Sequence, residues 1–273
     1  MDSKEGPKDS RDLIPRGSFK PSPFGRAVFV GLRAIDPFIQ YSILSRHAGI
    51  SWIPQFLGGA LLPATGAAYL LRPANTGVIL DLPPYQSLLL CMSIGSMLKQ
   101  NFWALAVGKE ELLTSSAVII AAFATLMNGL NGALAMWTRT SVNPTASTMT
   151  ELLKVPSIAA GVSLFVTGVL VETVSEIQRS RFKDDPRNKG KPYAGGLFGL
   201  ARNINYTGFT LWKMGYALVA AGPAYGLLAA AFHFYDFAQR AVPTLDDYCA
   251  KRYGDEWQDV RKKVPKVLIP GIY

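Results

Sequence analysis

Charge is what this 273-residue chain has least of. Asp, Glu, Lys and Arg make up 17% of it, where a soluble domain carries about a quarter. The deficit is local. Charged residues gather in 1–26, 179–191 and 240–266, and the intervals between them are long apolar runs. With 49% hydrophobic residues and a mean hydropathy of +0.18, this excludes a disordered chain or a coiled coil. It predicts an all-α, polytopic membrane helical bundle. Cysteine and histidine are scarce too. Cys91, Cys249, His47 and His233 supply neither a disulfide framework nor a structural zinc site, so free thiols and no metal are expected. No Gly-rich nucleotide fingerprint follows a strand, and no strand is predicted to carry one. Any dinucleotide must therefore be held inside a helical bundle.

What charge there is sums to +9. In a membrane chain this reflects Lys and Arg held on the cytosolic face rather than nucleic-acid binding. Residues 1–24 are polar, without the apolar core of a signal peptide, and rich in Pro, Gly, Ser and Lys. They read as a disordered cytosolic tail ahead of a single integral membrane domain at 25–273. Spans of about twenty residues are expected at 52–72, 86–107, 112–137 and 155–178. The run 205–238 is too long for one span and is interrupted at Ala221-Gly222-Pro223, so it should form a hairpin of two short ones. At 24–45, Arg26, Arg33 and Asp36 interrupt the apolar pattern and Pro37 breaks it. Charges at that depth are costly. If all three basic segments face the cytosol, an even number of spans must precede residue 179. Six spans with an interfacial helix at 24–45 satisfy this, and seven is the alternative.

Polar chemistry concentrates in the last third. Glu172, Glu176 and Arg179 recur at helical spacing, with Lys183 beyond them. Two carboxylates four residues apart repel unless a cation or a proton intervenes, which leaves a wet cavity or a salt-bridge ladder. Arg202, Tyr206 and Lys213 share a helical face beside Asn205. They could hold a phosphate and a carbonyl, or serve as interfacial anchors. Arg240, Thr244, Tyr248 and Arg252 repeat every fourth residue, with Asp247 and Lys251 alongside. Tyr248, Tyr253 and Trp257 among those charges suggest a tail folded over the mouth of the bundle.

The run Glu172…Ser175-Glu176-x-Gln178-Arg179 and then Gly196-Leu197-Phe198-x-x-x-Arg202-Asn203-x-Asn205-Tyr206-x-Gly208 resembles the C-terminal domain of the steroid 5-alpha-reductase family, and within it the DUF1295 branch. The ending at 247–273 also resembles the tail of delta-14 and delta-7 sterol reductases. The likeness covers about residues 165–273. It implies an endoplasmic-reticulum membrane enzyme that takes NADPH from the cytosolic side and reduces a carbon–carbon double bond in a steroid-like or isoprenoid lipid. Carried over residue by residue, it implies cofactor contacts at Ser175, Glu176, Arg179, Asn205, Arg240 and Tyr248, and Arg202 and Asp247 beside them complete the candidate cofactor site. The chain departs from the pattern at Phe209, where a glutamate often follows Asn-Tyr-x-Gly. The family's substrate-side Glu and Tyr have no counterparts, and Gln55 and Lys99-Gln100 are the polar residues at comparable depth. For an enone, Tyr206 or Lys99 would stabilise the enolate. For an unactivated alkene, Glu172 or Glu176 would have to serve as the acid. The rival readings are an S-adenosylmethionine-dependent methyltransferase of the isoprenylcysteine carboxyl type, which has an Arg-His-Pro-x-Tyr-x-Gly motif where this chain has Arg202-Asn203-Ile204-Asn205-Tyr206-Thr207-Gly208, and a non-catalytic sterol-binding protein.

Overall fold

The computed structural model describes residues 12–45, 58–62, 82–142, 146 and 148–273. Among them the regular structure is helical: α1 (Pro23–Leu44), α2 (Pro84–Phe102) with a π-turn at Trp103–Val107, α3 (Thr114–Met136), α4 (Met149–Leu153), α5 (Pro156–Asp184), α6 (Ile204–Asp236), a second π-turn at Phe237–Ala241, α7 (Val242–Tyr253) and α8 (Asp255–Lys263). Proline opens several of them. Pro23, Pro84 and Pro156 sit in the first turn, where a missing N–H costs nothing. Four segments are long and apolar enough to cross a membrane: α1, α3, α5 and the one that begins at Ile204.

α6 is a hairpin. Ala221 and Gly222 leave helical geometry, Gly222 with φ 80°, a conformation glycine adopts without strain. After the break the chain runs back along itself. Gly226 packs on Leu218, Phe209 meets His233 at 5.4 Å between ring centroids, and Tyr206 stacks on Phe237 at 4.5 Å. The two arms thus match the hairpin expected at 205–238.

The remaining contacts fix directions. α1 runs parallel to α3: Gly25 lies on the Leu112 carbonyl, and Gln40 and Ile43 lie on Gly132. α2 runs parallel to α5, with Gly95 on Phe165 and Lys99 paired with Glu172. The first arm of α6 is antiparallel to α5. Their crossing is built on glycine, with Gly161 facing Gly215 and Gly168 facing Gly208, so the backbones approach closely. Phe165 fills the space beside them, edge-on to Trp212 and Tyr216. Outward faces carry Leu98, Leu105, Leu126, Leu170 and Leu228, all exposed, as lipid-facing positions should be.

Two expectations change. The helix at 24–45 does not lie apart in the interface; α1 runs beside α3 for its whole length, and Pro37 sits inside it without ending it. Its charges turn inward and compensate one another. Arg33 and Asp36, both fully buried, pair at 3.1 Å. Arg33 donates to Thr125 at 3.0 Å, while Asn128 and Gln40 donate to Asp36 at 2.7 and 2.9 Å. The insertion penalty applies to charges that meet lipid alone, and these do not. The span expected at 52–72 is not one continuous helix. Gly58 (φ 74°) begins a segment at 58–62 that runs extended against the end of α3, through Leu62 N–H to Met136 and Thr138 N–H to Ala60. The rest of 52–72, with Gln55, lies outside the described residues.

Among the described residues, α1, α2, α3, α5 and the two arms of α6 run along one another. Residues 12–22, the segment 179–191 and the C-terminal tail consequently meet at one end of the bundle, as their shared basic character predicted.

Candidate functional site

A cavity of about 430 Å³ opens at that end. One wall is the last turns of α5, which present Glu176, Arg179, Ser180 and Lys183. Opposite lie Tyr248, Cys249, Arg252 and Tyr253 of α7 and Trp257 of α8. The α2–α3 connection adds Trp103, Lys109 and Glu110, and residues 188–198 add Tyr193 and Phe198. Arg16 and Phe19 complete the lining from the N-terminal segment. Seven lining side chains are Lys or Arg and three are Asp or Glu, so the field inside favours an anion.

α7 is held over the bundle by the chain that follows it. Arg202 N–H and Asn203 N–H donate to the carbonyls of Lys266 and Val267 at 2.9 Å, and the Arg202 guanidinium caps Val264 and Pro265. Trp257 Nε1 donates to Asp246, which also pairs with Arg261. The tail does fold over the mouth.

The carboxylates sit at the floor, and each has its own donors. Glu176 takes Arg179 at 2.5 Å and Asn205 Nδ2 at 2.8 Å. Glu172, one turn deeper, takes Lys99 and the Trp212 indole N–H, the latter at 2.7 Å. Cations therefore separate the two acids that the spacing alone left in conflict. From Glu176 a narrow crevice continues between Trp103, Val107 and Thr173 to Lys99. Asn205 itself is not among the lining residues, and its Oδ1 is buried without a hydrogen-bond partner among the described residues.

Several expected residues come together here, and others do not. Arg179, Arg202 and Tyr248 line the cavity, although the Arg202 guanidinium is engaged by tail carbonyls. Burial pulls it below its ordinary pKa. Ser175 is buried within the helix packing and donates to the Glu172 carbonyl. Arg240 makes a bidentate pair with Asp236 at 2.7 and 2.6 Å and is not among the lining residues. Asp247 is exposed on α7. Tyr206 stacks on Phe237 and accepts from Arg16 at 3.5 Å. Lys213 does not join Arg202 and Tyr206; it is buried, with its ammonium 4.4 Å above the Trp212 ring. Lys99 and Glu172 meet across 73 residues of sequence.

Arg16 is the residue that reading the sequence missed. Burial opposes its charge, but Tyr206, Asp12 and Glu110 outweigh it and hold its pKa above the ordinary value. The one sequence signal was the apolar Leu13, Ile14 and Phe19 around Pro15-Arg16-Gly17 in an otherwise polar stretch.

A family model described as a protein of unknown function (DUF1295) matches residues 117–264, more than half of the chain and further upstream than the motif resemblance reached. A protein from Ustilaginoidea virens, named probable O-methyltransferase ustE, is 40% identical over 247 residues, 89% of this chain and 84% of that protein. The Delta(14)-sterol reductase of Methylotuvimicrobium alcaliphilum is 30% identical over 141 residues, 45% of this chain and 32% of the reductase. That of Neurospora crassa is 27% identical over 161 residues, 42% of this chain and 31% of its own length. The chain thus spans about a third of the sterol reductases it matches.

Proposed function

The chain belongs to the DUF1295 family, and from the charge and form of its cavity we propose a membrane oxidoreductase that uses NADPH to reduce an enone double bond in a steroid-like or isoprenoid lipid. The observation that carries this reading is the excess of cations around the cavity. NADPH brings three phosphate groups. S-adenosylmethionine brings a sulfonium and an ammonium against one carboxylate, and seven Lys and Arg side chains repel that balance. The volume is within the roughly 300–1,000 Å³ of small-molecule sites.

The residues present fit the cofactor. Arg179, Lys183 and Arg252 would offset phosphate charge, and Tyr193, Phe198 and Trp257 offer aromatic faces for its rings. Asn205, behind the lining, would hold the Glu176 carboxylate in place beneath the cofactor through its amide N–H. When bound, NADPH supplies a hydride to one alkene carbon. The chain must then stabilise the oxygen of the conjugated carbonyl and deliver a proton. Lys99, which lines the crevice and pairs with Glu172, would be the donor to such an oxygen, and Tyr206 is the other candidate. Leu98, Phe102, Leu170 and Val174, all exposed around Lys99 and Thr173, would let an apolar substrate approach from the bilayer. Both glutamates already accept from strong donors, so neither stands as a free acid for an unactivated alkene, and the enone route asks less. The basic end would face the cytosol, in the endoplasmic reticulum membrane.

The name of the U. virens relative favours a second reading, methyl transfer from S-adenosylmethionine in the same cavity. Thermal unfolding of the detergent-solubilised chain separates the two, because a ligand that binds only the folded state raises the midpoint. NADPH should raise it and S-adenosylmethionine should not. Deuteride-labelled NADPH, supplied with a panel of enone lipids, should leave deuterium in a saturated product. Methylated products formed only with S-adenosylmethionine would overturn the reductase reading.

A further inference from the structure

One cation of the cavity, Arg16, comes from the segment ahead of the first helix, outside the family-like pattern. Residues 12–22 cross the basic end without helix and are tied down along their length. Ser18 is joined to Glu111 twice, by hydroxyl to carboxylate at 2.6 Å and by Glu111 N–H to the Ser18 carbonyl at 2.8 Å. Ser116 donates to the Leu13 carbonyl, and Ser22 Oγ accepts from Leu112 N–H at 2.9 Å. At the centre of this strap Gly17 has φ 79° and sits on the Tyr248 ring; a Cβ there would stand 2.9 Å from the phenol oxygen. The turn sends Arg16 to Tyr206 and Phe19 to Arg252, whose guanidinium lies 5.7 Å from the Phe19 ring centroid.

We propose that this strap is part of the anion site: Arg16 binds a phosphate of the dinucleotide, and the ligand is held firmly only with the strap docked on Tyr248. The inference rests on the NADPH reading of the cavity. Its support is geometric. Arg16 lines the cavity, and its ion pair is with Asp12 of the same strap, so cation and counter-ion travel together. Its guanidinium carries five N–H donors, and the hydrogen bond to Tyr206 uses one of them. Arg179, by contrast, shares its charge with Glu176 at the floor. Gly17 is the one strap residue in the left-handed region that also touches the opposite wall, which makes it the point where docking can be blocked without removing a charge.

The test uses the full chain in detergent, titrated with NADPH by direct binding, with amide hydrogen exchange read over residues 12–22. Arg16→Ala should weaken NADPH by about ten- to a hundredfold, the range of a charge-assisted hydrogen bond. It should also flatten the dependence of affinity on ionic strength, and Arg16→Lys should recover part of the loss. Gly17→Val keeps the arginine but cannot seat the strap. It should weaken binding and raise exchange over 12–22, while NADPH added to the unaltered chain should slow that exchange. Arg16→Ala and Gly17→Val chains that bind NADPH as tightly as the unaltered chain overturn the strap's role and leave the cofactor reading standing. An unaltered chain that does not bind NADPH overturns the cofactor reading, and the strap's role with it.

Discussion

Gly168 of α5 rests on the backbone of Gly208 in α6, so closely that an added Cβ would come within 2.6 Å of the Gly208 carbonyl oxygen. Gly161 and Gly215 repeat the contact one heptad away. This crossing sets the distance between Glu176 and Asn205, and hence the floor of the cavity.

Gly168→Leu should therefore push the two helices apart. Overpacking at such a contact costs about 1–3 kcal/mol, to be read as a lower unfolding midpoint in detergent. NADPH affinity should fall in the same variant, because the Asn205–Glu176 hydrogen bond cannot survive the separation. A leucine at Gly31, exposed on α1 with open space around it, serves as the control that should leave the cofactor site intact.

Asn205→Ala removes the amide donor that holds Glu176 beneath the cavity. Affinity for NADPH, measured by titration, should drop by about tenfold or more, given roughly 1.5–3 kcal/mol for a hydrogen bond to a charged group. Unchanged affinity would take Asn205 out of the site.

Asp36→Leu leaves the Arg33 guanidinium buried without its counter-charge. The loss should be about 3–5 kcal/mol of stability, the usual cost of breaking a buried pair from one side. Replacing both, Arg33→Met with Asp36→Leu, should cost much less in the same unfolding measurement. Equal losses in the single and double variants would mean that the pair does not act as a unit.

Lys99→Met tests the substrate side. Paired with Glu172→Gln, so that no acid is stranded, it should lower kcat/KM for an enone lipid by about a hundredfold or more, as loss of an oxyanion donor does. NADPH binding should stay within about twofold, since Lys99 lines the crevice and not the cavity wall. If turnover and cofactor binding fall together, Lys99 is a structural residue.

The membrane class, the helical passes α2, α3 and α5 and the hairpin break at Ala221-Gly222-Pro223 were legible in the sequence because each is a local property. Twenty apolar residues have one stable form in lipid, and a Gly-Pro pair in a long apolar run interrupts it wherever it occurs. The same locality made Glu172, Glu176 and Arg179 visible, since helical periodicity places them on one face whatever lies opposite. Periodicity does not name the partner across the interface. Two features show this. The charges of α1 read as an obstacle to insertion until Thr125, Asn128 and Gln40 surround them. Arg16, in a stretch with no apolar period, reaches Tyr206 across 190 residues only because the bundle brings both chain ends to the same side.

By itself, then, the sequence determined which segments avoid water and which faces of them are polar, because burial and hydrogen bonding act residue by residue. Tertiary structure alone decided that Glu172 meets Lys99, that Arg33 and Asp36 are compensated inside the bundle, and that seven cations converge on one cavity. Those outcomes depend on distances between segments far apart in the chain, and packing sets them after each helix already exists.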